Sequence, residues 1–295
     1  MQADADFLGL VRDDEPGRSR FTVEHHLSRI DGRLYGGTAI AVSITAAEEV
    51  SQRRALWMTT QFVSTAPEGA EISVLAEVLA PGRRTNQVRV TGTDADGDVV
   101  FASLGATGHH RDGGLTAVFE HPPVVAPPDE SERWASPFDA IARFAGPDLQ
   151  PPPIPEGTGF TGVIEMRHPE IVEHPDPGPG RLCIWVRRRD REPITPAVAA
   201  YMADMVPLSI AHACEVVAVG TSLDNSMRIG SFVESEWILI DLRPHLAAGD
   251  YGHGAAHIWS LDGHLMATAS QTTSMRRIEL GGGNPAPPPG SGDRR

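Results

Sequence analysis

The chain has 295 residues, 40% hydrophobic and 22% charged, a balance that excludes a disordered polypeptide and suffices for two domains of moderate size. A formal net charge of −14 argues against non-specific nucleic-acid binding, because a field of that sign repels phosphate. No apolar run approaches the roughly 20 residues that span a bilayer. The two cysteines, Cys183 and Cys214, lack the spacing of a disulfide or zinc framework. The expectation is a soluble cytoplasmic protein.

Residues 1–20 are charged and aperiodic and read as an N-terminal extension. The first domain, 21–110, opens with the strand-like FTVEHHLSRI. A Gly-Gly pair leads into TAIAVSITAAEEV, a small-residue helix with acidic residues at its end. Four strand-like runs follow: LWMTTQFVS, EISVLAEVLA, NQVRVTGTD and VVFASLGATG. The last two are joined by the hairpin turn DADGD. Residues 111–158 contain HPPVVAPPDE and GPDLQPPPIPEG, whose prolines remove backbone donors, and read as a Pro-rich linker. The second domain, 159–280, repeats the grammar. It opens with GVIEMRHPE and RLCIWVRRR and continues with one apolar helix, PAVAAYMADMVPLSIAHA. The strands SMRIGSFV, EWILIDLRPH, YGHGAAHIWS and HLMATASQTTSMR come next, the last two joined at Asp262-Gly263. Residues 281–295 have the composition of a disordered tail. One helix followed by antiparallel strands, twice over, predicts an α+β chain of two tandem hot-dog domains pairing edge to edge.

Asp204 is the only charge in AVAAYMADMV. A carboxylate there loses water, needs partners and has a raised pKa, as a general base requires. An exposed rim position, or a cap on the turn opened by Pro207, fits the same residues. Leu265, Ala267, Ala269 and Gln271 share one strand face, so Gln271 ends a buried apolar row and either needs a polar partner or satisfies strand backbone. Ser222 in VAVGTSLDNSMR also fits an ordinary loop, and Asp224 is either a second acidic group of the site or a turn former. Gly36 and Gly37 precede the first helix, where exposed amides hold an oxyanion or simply make a loop. A polyanionic ligand would need local arginines. Arg83–Arg84 and the run Arg187, Arg188, Arg189 and Arg191 are candidates, or else solvated strand ends.

Taken together, RLYGGTAIAVSITAA, FEHPPVVAPPDE, AYMADMVPLSIAHA, TSLDNSMR, EWILIDL and DGHLMATASQTTSMR resemble the acyl-CoA thioesterase II family. The resemblance implies an enzyme that hydrolyses acyl-CoA without metal or cofactor, with Asp204, Ser222 and Gln271 as its catalytic set. Gly36, Gly37, Thr38, Thr60 and Asp224 would lie at the substrate. Here Thr38 stands where that family has Gln, and Thr59-Thr60 where it has His. Asn225 also replaces a His, and Arg228-Ile229 an aromatic pair. These changes concern the acyl and thioester end. The implied mechanism is direct attack of water, deprotonated by Asp204 and held by Ser222 and Gln271, with amides near Gly37 facing the carbonyl oxygen. Acyl-CoA is the expected partner, and further assembly into a homo-oligomer is expected. A metal site is disfavoured, because His253 and His257 on one strand lie roughly 13 Å apart at about 3.3 Å per residue. No GxSxG elbow occurs. A hydratase would need an Asp and His pair that neither helix offers. The alternative from another class is a non-catalytic acyl-CoA binder.

Overall fold

A computed structural model describes residues 2–109, 113–136, 139 and 155–278. The proposed tail at 281–295 and part of the Pro-rich linker lie outside the described residues. The first domain contains α1 (Gln2–Leu8), β1 (Val11–Arg12), β2 (Arg18–Thr22), α2 (Gly36–Ser51), β3 (Arg54–Phe62), β4 (Glu71–Ala80), β5 (Thr85–Thr93) and β6 (Val99–Gly108). The linker contributes β7 (Val124–Val125) and β8 (Glu132–Trp134). The second domain contains β9 (Ile164–His168), β10 (Ile171–Glu173), β11 (Leu182–Arg188), α3 (Pro196–Ala203), α4 (Val206–Ala213), β12 (Ala218–Ile229), β13 (Ile238–Ala248), β14 (Tyr251–Ser260) and β15 (Leu265–Arg277).

Thirteen of these strands form one antiparallel sheet in the order β1-β2-β4-β5-β6-β3-β12-β15-β14-β13-β11-β9-β8. The two domains meet where β3 pairs with β12, so each covers the other's open edge. α2 packs on β3, β4, β5 and β6, while α4 packs on β12, β13, β14 and β15. α2 and α3 also pack against each other, which brings the two halves' helices together beneath the seam. This is the tandem hot-dog architecture expected from the sequence. Both predicted hairpin turns are present, with Gly97 and Gly263 at positive φ, +87° and +78°.

α2 is buried along most of its length, including Ala39, Ala41, Ala46 and Ala47. Its small residues let the sheet wrap closely, and its hydroxyls are satisfied internally: Ser43 and Thr45 donate to the carbonyls of Ala39 and Ala41.

The second helix differs from the expectation of one continuous element. Pro207 has no N–H, and its ring excludes the carbonyl of residue 203, so the chain leaves helical geometry at Asp204 (ψ 57°) and Met205 (φ −127°). α3 starts cleanly, with Pro196 in its first turn and the Thr195 hydroxyl accepting from Val198 N–H at 3.2 Å. The break leaves Asp204 between the end of α3 and the start of α4.

Two further segments depart from the sequence reading. The charged extension folds onto the core: Ala5 and Leu8 of α1 are buried, and the Phe7 ring lies edge-on to Tyr201 at 5.2 Å. The first sheet strand also begins earlier, at Arg18. The linker is partly structured. β8 extends the sheet edge, β7 pairs with β10, and Val125 packs on the outer cluster of Cys183, Trp185, Trp237, Leu239 and Trp259. Among the described residues, no helix is long and apolar enough to cross a membrane.

Candidate active site

The site is built around the helix break. Asp204 Oδ1 accepts from Gln271 Nε2 at 2.6 Å and from Asn225 Nδ2 at 3.3 Å. The same Gln271 nitrogen donates to Ser222 Oγ at 2.5 Å. Three separated segments thus converge within hydrogen-bond distance. Asp204 keeps only 8% of its surface exposed. Burial pushes its carboxyl up from the usual range to about 6, against the stabilising bonds from Asn225 and Gln271, the N–H of Gly37 and the positive field of Arg29. A carboxyl poised there is ionised at neutral pH and still basic enough to take a proton.

Two glycines make room for this carboxylate. A Cβ on Gly36 would come within 2.3 Å of Asp204 Oδ2, and one on Gly37 within 2.4 Å of the Tyr201 carbonyl. The pair therefore lets the N-terminus of α2 approach the end of α3, with its positive dipole end toward the negative charge. The Gly37 N–H faces Asp204, so it is not the free oxyanion donor expected from the sequence; Gly36 is the member of the pair on the cavity wall. Tyr35 stacks on Phe160 at 4.2 Å and donates its hydroxyl to the Asp204 carbonyl at 3.3 Å, which fixes the break from the other side.

Ser222 reaches the site because of a β-bulge. Ser222 lies opposite Thr273 and Asn225 opposite Gln271, so Ser222 and Asn225 face the same side although three residues separate them. The register shift between Ser222 and Asp224 inserts one extra residue and turns the hydroxyl toward the helices. The GTSLDNS segment is therefore strand, not loop. Because Ser222 Oγ accepts from Gln271, its own proton is available to another acceptor. Gln271 is fully buried and is not on the cavity wall, and its Oε1 has no partner. It holds Asp204 and Ser222 from behind.

Three residues expected at the substrate are elsewhere. Thr38 is buried and donates to the Leu27 carbonyl at 3.0 Å. Asp224 accepts from Thr272 N–H at 2.9 Å and secures the bulge. Thr60 is fully buried and lies 2.8 Å (Oγ1 to Oγ) from Ser103, which lies at the same distance from Ser43 Oγ. The register explains Thr60: Gln271, Asn225, Thr60 and Ser103 form one row across β15, β12, β3 and β6. Across the domain seam, three hydroxyls occupy the positions mirrored by Gln271, Asn225 and Asp204. That first-domain counterpart contains no titratable group. Asn225 is the site residue the sequence reading did not assign, and its place opposite Gln271 depends on register alone.

Asp204, Ser222 and Gly36 open onto a cavity of about 690 Å³. One part of its wall is apolar, with Ile30, Leu34, Phe62, Val100, Phe101 and Leu208. Another is polar, with Arg29, Thr221, Ser274 and Arg276. The arginine run on and after β11 is not on this wall and is neutralised: Arg187 pairs with Glu165, Arg188 with Asp190, Arg189 with Glu156 and Arg191 with Glu236. Of metal-ligand types, His174, Cys183 and Asp241 have ligand atoms within 4.8 Å of one another. The Arg243 guanidinium already binds Asp241 Oδ2 at 2.8–2.9 Å, and His174 takes Oδ1 at 2.9 Å, so the carboxylate is neutralised within the protein.

Comparisons with known proteins agree with this geometry. Residues 23–108 match the family model of the acyl-CoA thioesterase N-terminal domain, and residues 120–275 that of the acyl-CoA thioesterase C-terminal domain. A structure from Novosphingobium aromaticivorans, provisionally assigned as a thioesterase, is 29% identical with a TM-score of 0.76, covering 90% of this chain and 97% of that one. A hot-dog protein of unknown function from Alicyclobacillus acidocaldarius is 19% identical with a TM-score of 0.75, covering 94% and 98%. An acyl-CoA thioesterase II from Mycobacterium marinum is 19% identical with a TM-score of 0.70, covering 93% and 98%. None of the curated proteins compared matches the chain significantly.

Proposed function

The chain belongs to the acyl-CoA thioesterase family and is a thioester hydrolase, and on that premise we propose that it converts acyl-CoA to a free fatty acid and CoA by direct attack of water. The observation that carries this mechanism is the buried carboxylate of Asp204, bonded to Gln271 and Asn225 and open to the cavity beside Ser222.

In this reading Asp204 removes a proton from a water molecule as its oxygen attacks the thioester carbon. The Ser222 hydroxyl orients that water. Gln271 positions both groups rather than touching the water itself. The carbonyl oxygen turns toward Gly36, where the start of α2 stabilises developing negative charge. Collapse of the tetrahedral intermediate breaks the C–S bond, and the thiolate leaves as CoA after taking up a proton. Base catalysis is worth about 10²–10⁴ in rate. The acyl chain lies along the apolar wall by Phe62, Val100 and Phe101. The free thiols of Cys183 and Cys214 suit a cytoplasmic enzyme.

The test is thiol release from acyl-CoAs of graded length, run beside thermal shift with the same ligands. Release of free thiol above background supports the reading. Stabilisation by acyl-CoA with no thiol released would overturn it in favour of a non-catalytic binder.

A further inference from the structure

We propose that Arg276 binds the pyrophosphate of coenzyme A at the outer end of the cavity. This deepens the thioesterase reading and takes the position of the thioester from it.

The sheet has a gap at this point. β12 pairs with β3 only from Asp224 to Arg228, yet it continues to Ala218 against β15 alone. The edge of β12 from Ala218 to Ser222 is thus unpaired on the side where the first domain's sheet has ended. The cavity wall follows that free edge, from Asp204 and Ser222 along Ala218–Thr221 to Ser274 and Arg276.

The length fits. Arg276 is five residues beyond Gln271 on β15, about 16 Å along the strand at about 3.3 Å per residue. From the thioester sulfur to the first phosphorus of coenzyme A there are about thirteen bonds. An extended chain covers roughly 14–16 Å in that number, by the backbone repeat of about 3.3–3.6 Å per three bonds.

The charge also fits. Arg276 is exposed and has no ion pair among the described residues. The other arginine on the wall, Arg29, is already held by both oxygens of Asp31. Thr221 lies directly opposite Ser274, so two hydroxyl-bearing residues flank the route to the guanidinium. A guanidinium matches two phosphate oxygens at once, and this one gives up no internal partner to do so.

The experiment compares Arg276→Ala and Arg276→Lys with the wild type on an acyl-CoA and on the acyl-pantetheine of the same acyl group, which lacks phosphate. The ratio of kcat/KM for the CoA ester to that for the pantetheine ester is expected to fall about fivefold to tenfold in R276A and less in R276K. In parallel, binding of a non-hydrolysable thioether analogue of acyl-CoA is expected to weaken by a similar factor, with or without its 3′-phosphate. A wild-type ratio and wild-type analogue binding in R276A would overturn the proposal, as would a loss seen only when the 3′-phosphate is present. Absence of hydrolysis in every protein, with analogue binding still weakened in R276A, would sink the thioesterase reading and leave the phosphate contact standing.

Discussion

Replacing Asp204 by Asn is expected to make the fold more stable at neutral pH. The buried carboxyl has a pKa of about 6 in the folded chain, against 3.8 as its ordinary value. That difference of about 2 units corresponds to about 3 kcal/mol. Below pH 4 the group is protonated in both the folded and the unfolded chain, and its burial carries no charge penalty. As pH rises, the unfolded chain releases the proton first. Once pH has passed about 6, the fold has lost about 3 kcal/mol relative to its acid-side stability. An Asn at this position does not titrate. Its Oδ1 can still accept from Gln271 and Asn225, while its Nδ2 meets the Gly37 N–H at a cost that is the same at every pH. The stability advantage of D204N over the wild type should therefore grow by about 3 kcal/mol between pH 4 and pH 7.5. Urea denaturation of both proteins at the two pH values measures this, and other titrating groups cancel between them. An advantage constant to within about 1 kcal/mol, or one that shrinks as pH rises, would refute the assignment of a strained buried carboxylate.

The wild-type kcat/KM should rise with pH through about 6, where Asp204 becomes a competent base. Asn225→Ala removes a donor to the charged form and should move that limb upward, as read by thiol release between pH 4.5 and 8; an unmoved limb would mean that Asn225 does not hold the carboxylate. Gly36→Ala places a methyl 2.3 Å from Asp204 Oδ2 and 3.1 Å from the Phe62 ring. It should cost about 1–3 kcal/mol in stability and at least about tenfold in kcat. Gln271→Ala unties Asp204 from Ser222 and should lower kcat by about 10- to 100-fold with little change in KM, because the amide does not reach the substrate.

The paired architecture was legible because its signals are local. The small-residue helix at 38–50, the alternating strands and the DADGD and Asp262-Gly263 turns each declare themselves within a few residues. Asp204 and Gln271 were legible as polar groups in apolar rows. Other features were hidden because they depend on register or on distant partners. Ser222 faces the site only through a bulge that shifts one strand against another. Asn225 reaches Asp204 because it lies opposite Gln271, while Thr60 in the same row meets Ser103 and is sealed in. The run Arg187–Arg191 looks cationic in sequence, yet it is matched by Glu165, Asp190, Glu156 and Glu236 from four places in the chain. Pro207 was visible in the apolar helix, and its consequence is the break that frees Asp204 from helical geometry.

The most direct test is the turnover of D204N on an acyl-CoA that the wild type cleaves, measured above pH 7 where the native carboxylate is ionised. Loss of the base should lower kcat for CoA release by about 10²–10⁴ in a protein that remains folded. A folded D204N that releases CoA at the wild-type rate would contradict Asp204 as the group that activates water.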